Sequence, residues 1–128
     1  MTLPESWIAH RREDRELVGW IEPESDGFVP YDLLGRPRTP QPVDWLAAEE
    51  LLDELGIGYL ADIYALRTDD GSWIRARIVE VSPAGIGVKE DDFGDIGAAV
   101  ASFRVPFPID DRLVPLTEAP GPVRSRFL

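Results

Sequence analysis

The chain has no cysteine, one histidine, one lysine and one methionine among its 128 residues. Without cysteine there are no disulfides and no thiolate metal sites. With His10 as the sole imidazole, there are too few nitrogen ligands for a catalytic zinc site. A Ser-His-Asp or Cys-His arrangement would also have to use His10, and no Gly-x-Ser-x-Gly turn is present to hold a nucleophile. His10 lies in a strand-like run and is expected to be an ordinary strand histidine. Long apolar runs are missing as well, since nothing approaches the roughly 20 residues that cross a bilayer. The start, Met1-Thr2-Leu3-Pro4-Glu5-Ser6, lacks the basic residues and apolar stretch of a signal peptide. Together these absences lead to the expectation of a cytoplasmic protein that is not an enzyme, takes no cofactor and has no membrane partner.

Positive charge is also scarce. Asp and Glu number 24 against 13 Lys and Arg, for a formal net charge of −11. Such a field repels nucleic acid and anionic membranes and favours a basic protein surface as partner. The basic side chains are all Arg except Lys89.

What the chain does have is a core and many turns. Hydrophobic residues make up 44% and there are four Trp, which rules out disorder by composition. Proline (12) and glycine (11) are frequent enough to favour short strands and turns over a helical bundle. Trp7 to Arg12, Leu17 to Ile21 and Phe28 to Leu34 read as a meander. Pro23 is expected to close the second strand, Gly27 to supply the positive φ of the turn after it, and Pro30 to mark an edge or a bulge. A second group of strands follows: Tyr59 to Thr68, Ser72 to Ser82, Ile86 to Glu90 and one carrying Phe103 and Val105. The apolar phase slips at Val79 and Val81, which predicts a bulge or a strand that bends between two faces. The expected fold is mainly β (α+β), with antiparallel strands in a partly open small barrel or two packed sheets. One domain is expected over residues 1–112, then a weakly structured Pro/Arg-containing tail, 113–128.

Between the two strand groups lies the only clear helix, about residues 44–55. At about 100° per residue, Trp45, Ala47, Ala48, Leu51, Leu52 and Leu55 share one arc, while Glu49, Glu50, Asp53 and Glu54 share the other with Leu46. Asp44 suits the N-cap and Gly56 the C-terminal turn, where Ile57 can fold back on Leu52. The acidic face opposes the helix locally. Glu49/Asp53 and Glu50/Glu54 are like-charge i,i+4 pairs, each costing about 0.2–0.5 kcal/mol. The apolar face must therefore hold this helix. The acidic face, Leu46 with Glu49, Glu50, Asp53 and Glu54, is the first candidate interaction site, for a basic partner.

Two other constellations carry possible chemistry. Trp73, Arg75 and Arg77 alternate along one strand, a face that can stack on a base and hold its phosphate. The segment from Arg77 to Ile86 distantly resembles the PilZ domains that bind cyclic di-GMP. Ser82 and Gly85 fit that pattern, Glu80 replaces its acidic or amide residue, and its paired arginines are missing at the usual distance. That strand face, together with the resemblance, gives the alternative expectation of a nucleotide or small-ligand binding β-barrel using Trp73, Arg75, Arg77 and Ser82. Against it stands the pairing of these arginines with nearby carboxylates. Asp91, Asp92 and Asp95 form the third candidate, a Gly-bearing loop able to offer oxygen ligands to Mg²⁺ or Ca²⁺ in a metal-dependent enzyme. Acidic residues recur at nearly every expected turn, however, which points to aspartates bonding local backbone.

Several phrases together (Gly19-Trp20-Ile21-Glu22-Pro23, Asp32-Leu33-Leu34-Gly35, Asp44-Trp45-Leu46-Ala47-Ala48-Glu49-Glu50, Asp91-Asp92-Phe93-Gly94 and Pro106-Phe107-Pro108) resemble a family of small acidic bacterial proteins with no assigned activity. The resemblance covers roughly residues 17–108, implies one domain, and carries no site residue. The leading expectation is thus a non-enzymatic protein-interaction or regulatory module.

Overall fold

Short aspartate-bearing turns set the strand pairing. Asp14, Asp32, Asp70 and Asp110 each accept, through Oδ1, the backbone N–H two residues further on, at 2.9–3.0 Å. This contact lets a short polar side chain stand in for one turn of backbone. The strands between these turns were followed in a computed structural model that describes residues 3–91 and 101–124. Among the described residues they form two antiparallel sheets and no closed barrel. The chain divides into two compact units, Met1–Tyr59 and Leu60–Leu128.

In the first unit, β1 (Ile8–Arg11), β2 (Leu17–Glu24) and β3 (Gly27–Tyr31) lie in the order β1-β2-β3. The β2–β3 hairpin runs from Glu24 opposite Gly27 to Trp20 opposite Tyr31. Pro23 does not close β2 but sits inside it, opposite Phe28. In antiparallel pairing, bonded and non-bonded pairs alternate. Counting from the Glu24–Gly27 pair that closes the turn, Pro23 and Pro30 both fall at non-bonded sites. Pro23 points its ring nitrogen toward the side where β1 has already ended, and Pro30 toward the outer edge of β3. The positive φ is at Ser25 (50°), not at Gly27. Gly27 is needed for space, because a Cβ there would stand 2.8 Å from the Val43 carbonyl oxygen. Phe28 and Val43 exchange N–H···O bonds of 2.8 Å each, so the connector covers the outer edge of β3. The strand expected to reach Leu34 stops at Tyr31, where the Asp32 turn begins.

Helix α1 (Trp45–Leu55) packs its apolar side on this sheet. Ala48 and Leu52 are buried with Val18 and Ile21, and Trp45, Leu51, Leu55, Phe28, Val43 and Ile57 close around them. Both ends have identifiable causes. The Asp44 carboxylate accepts the Ala47 N–H at 2.7 Å. Gly56, at φ 58° and ψ −140°, returns its N–H to the Leu52 carbonyl. Its φ is positive as expected, but its ψ takes it out of the left-handed helical region.

A short 3-10 turn (Gly58–Ala61) occupies the start of what reads in sequence as a strand. In the second unit, β4 (Ile63–Arg67), β5 (Trp73–Ser82), β6 (Gly85–Glu90), β7 (Ser102–Val105) and β8 (Leu113–Pro115) form an antiparallel sheet ordered β7-β6-β5-β4-β8. The predicted bulge is present: the β5–β6 register shifts between Ile78 and Glu80, leaving Val79 unpaired and 56% exposed. Tyr64, Ala65, Leu66, Ala76, Ile86, Val88, Val105, Phe107 and Leu113 supply buried apolar side chains. The expected tail contributes strands. Leu113–Pro115 pairs with β4, and β9 (Val123–Arg124) runs parallel to the start of β5. No helix among the described residues is long and apolar enough to cross a membrane.

Candidate functional site: an acidic helix face partly occupied by a histidine

The solvent side of α1 follows from its two caps and its buried stripe. With Ala48 and Leu52 turned inward, Leu46 is forced outward and is 62% exposed. At the helical pitch, Glu50 and Glu54 lie about 40° and 80° to one side of Leu46. Asp53 and Glu49 lie about 20° and 60° to the other. A single exposed leucine thus has carboxylates on both flanks.

The two flanks differ. Glu50 and Glu54 are exposed and make no ion pair among the described residues. Glu49 and Asp53 turn toward β1, where His10 places Nε2 2.9 Å from Asp53 Oδ1 and Nδ1 3.5 Å from Glu49 Oε2. The His10 side chain is only 11% exposed. A neutral imidazole has one N–H donor, and the shorter contact marks Nε2–H to Asp53 as the bond such a ring makes. A protonated ring donates to both carboxylates. Neighbouring cations are engaged elsewhere. Arg11 donates to the Arg15 carbonyl at 2.9 Å, and Arg12 binds Glu16 at 2.7 Å. Arg12 Nη1 would lie 3.4 Å from a Cβ on Gly56, so its guanidinium stands at the carbonyl end of α1. That placement offsets the negative end of the helix dipole, for which the helix's own sequence offers no basic residue. Arg12, Glu13, Asp14 and Asp53 line an open hollow of about 400 Å³ beside the histidine.

The second candidate set does not converge. Arg75 Nε and Arg77 Nε donate to the two oxygens of Asp91, at 3.2 and 3.1 Å. Asp91 is 4% exposed. Burial alone would raise its carboxyl, but the hydrogen bonds and charges of Arg77 and Arg75 outweigh burial and hold it below the ordinary range. Trp73 is buried and Arg67 lies over its ring, 5.8 Å from the centroid, so a base would have to displace that side chain to stack there. Ser82 belongs to the β5–β6 turn, where its Oγ accepts the Ala84 N–H and donates to the Gly85 carbonyl. At the rise of a strand, Trp73 and Ser82 are about 30 Å apart.

Asp91 therefore joins the second and third candidate sets in one cluster, with both oxygens committed to guanidinium. Asp92 and Asp95 lie outside the described residues. Among the described residues, no group of three His, Asp or Glu side chains is arranged to hold a metal ion.

A parallel cluster that sequence reasoning did not single out stands in the first unit. Asp32, fully buried, accepts from Leu34 N and Arg36 N through Oδ1 and from Arg36 Nε and Arg38 Nη1 through Oδ2, at 2.8–3.1 Å. The Tyr59 hydroxyl accepts the Leu33 N–H beside it at 2.8 Å. Arginines four and six residues after an aspartate were the available signal. The His10 contacts had none, because Asp53 is 43 residues away.

No protein-family model matches the chain, and neither the curated proteins nor the solved structures include a significant match.

Proposed function

We propose that the chain is a non-enzymatic protein-interaction or regulatory module that docks a basic protein segment on the solvent face of α1. The observation that carries this reading is Leu46, 62% exposed on a helix whose other side is buried, with Glu50 and Glu54 beside it and without an ion-pair partner among the described residues. An exposed leucine among carboxylates gives a partner one apolar contact for affinity and a charge pattern for orientation. Asp44 and the buried Ala48 and Leu52 fix the helix, so the face is pre-formed and little ordering accompanies docking. Across the rest of the chain the arginines most suited to an anionic ligand, Arg75 and Arg77, already bind Asp91.

The test is titration with a synthetic amphipathic peptide bearing arginines around a leucine. The wild-type protein should bind it, and more weakly as salt is added, because exposed charges are screened over about 10 Å at 0.1 M salt. Replacing Glu49, Glu50, Asp53 and Glu54 by their amides should abolish binding while the far-ultraviolet circular dichroism spectrum stays the same. A neutralised protein that binds as well as the wild type overturns the proposal.

A further inference from the structure

We infer that His10 is a built-in competitor for the docking face: by seating its ring against Asp53, with Glu49 beside it, it contests the carboxylates on one flank of Leu46 with a basic partner. The inference rests on the docking reading above and specifies its regulation. Three observations carry it. The ring nitrogens face Asp53 at 2.9 Å and Glu49 at 3.5 Å, the two acidic side chains on one flank of Leu46. Those carboxylates are still reachable from solvent, with side-chain exposures of 48% and 31%, so a partner's guanidinium can contest them. His10 itself is held in β1, paired with Gly19; the nearby cations are bonded to other groups, Arg11 to the Arg15 carbonyl and Arg12, which shares a hollow with Asp53, to Glu16. The contact is therefore made by a fixed strand residue on a fixed helix.

The chemistry is an exchange of hydrogen bonds. A docking arginine that takes both oxygens of Asp53 must contest Oδ1 with the His10 N–H, whereas one that takes Glu50 or Glu54 replaces only water. A neutral ring withholds one carboxylate by hydrogen bonding, and a cation at position 10 also cancels charge on that flank. Charge at residue 10 thus sets how much of the face a partner meets.

The experiment compares wild type, His10→Phe, His10→Lys and Asp53→Asn with the same arginine-leucine peptide at one pH and low salt. It also labels carboxylates of the free proteins with a carbodiimide and a neutral amine, read by mass spectrometry. His10→Phe, which keeps a ring but has no N–H to donate, should bind the peptide more tightly than wild type, by up to about fivefold, and His10→Lys more weakly by a similar factor, the range of an exposed ion pair. Asp53 should label faster in His10→Phe, with Glu50 and Glu54 unchanged. In an Asp53→Asn background, the effect of His10→Phe on affinity should shrink toward none, a coupling that a fold-wide effect of the substitution would not give. Equal affinity of wild type, His10→Phe and His10→Lys overturns the inference while leaving the docking face standing, as does unchanged labelling of Asp53 in His10→Phe. If wild type and all variants fail to bind, or the four-carboxylate variant binds undiminished, the docking reading falls and this inference with it.

Discussion

Gly19 and Leu52 meet with no room for a side chain between them. A Cβ on Gly19 would stand 3.0 Å from Leu52 Cδ2 and 2.2 Å from the Tyr31 carbonyl oxygen. At position 19 α1 packs directly on β2, and the helix depends on such packing because its own charges oppose it.

Gly19→Ala should therefore destabilise the first unit. Even modest overpacking costs about 1–3 kcal/mol, and here the clash is with backbone, which cannot rotate away. Urea denaturation followed by tryptophan fluorescence should show a lower midpoint with a similar slope. A variant as stable as wild type would mean that sheet and helix are less tightly apposed than these distances imply.

The N-terminal cap gives a second, smaller effect. Asp44→Ala removes the 2.7 Å bond to the Ala47 N–H and should cost about 0.5–2 kcal/mol. Asp44→Ser, which restores an acceptor, should recover most of it. If the serine variant is no better than alanine, the loss comes from something other than the cap.

How far the sequence reached can be read from these same residues. The cap at Asp44, the buried stripe of Ala48 and Leu52, and the bulge at Val79 were legible because each depends on neighbours a few positions away. Pro23 misled because its meaning depends on which side of β2 has a neighbour, and that is fixed by where β1 ends. Leu113–Pro115 read as tail because a three-residue strand has no period to detect, and its pairing with Tyr64–Leu66 joins distant parts of the chain. For the candidate site, the acidic arc was visible from helical pitch alone. Its division into a free flank and a flank held by His10 was not, since a strand histidine carries no mark of the helix it will meet.

Asp32 should be the costliest single carboxylate in the first unit. Its two oxygens satisfy four donors while fully buried, and Asp32→Ala would leave Arg36 and Arg38 without their anion. Removing one partner of a buried ion pair costs about 3–5 kcal/mol. The partly exposed guanidiniums can recover some hydration, so the lower part of that range is expected. Differential scanning calorimetry should find the loss much larger than for Glu50→Ala on the solvent face. Similar melting temperatures for the two variants would remove Asp32 as the anchor of the turn.

Asp91 gives the protein an acid-sensitive contact in the second sheet. Burial pushes its carboxyl up, but the hydrogen bonds and charges of Arg77 and Arg75 pull it down further, so the folded group is more acidic than the unfolded one. A group shifted in that direction adds stability that is fully present above its unfolded value, about 3.9 for Asp, and is lost as pH falls through the folded value. Near neutral pH, Asp91→Asn should lower stability by about 1–3 kcal/mol, the loss expected when paired donors keep only an amide. As the solution is acidified below about pH 4, the wild type should lose that advantage and the two melting curves should approach each other. Asp110, also held below the ordinary range despite its burial by hydrogen bonds from Arg112, titrates in both proteins and cancels in the comparison. A gap between wild type and Asp91→Asn that stays constant down to strong acid would show that the arginine clamp does not depend on the charge of Asp91.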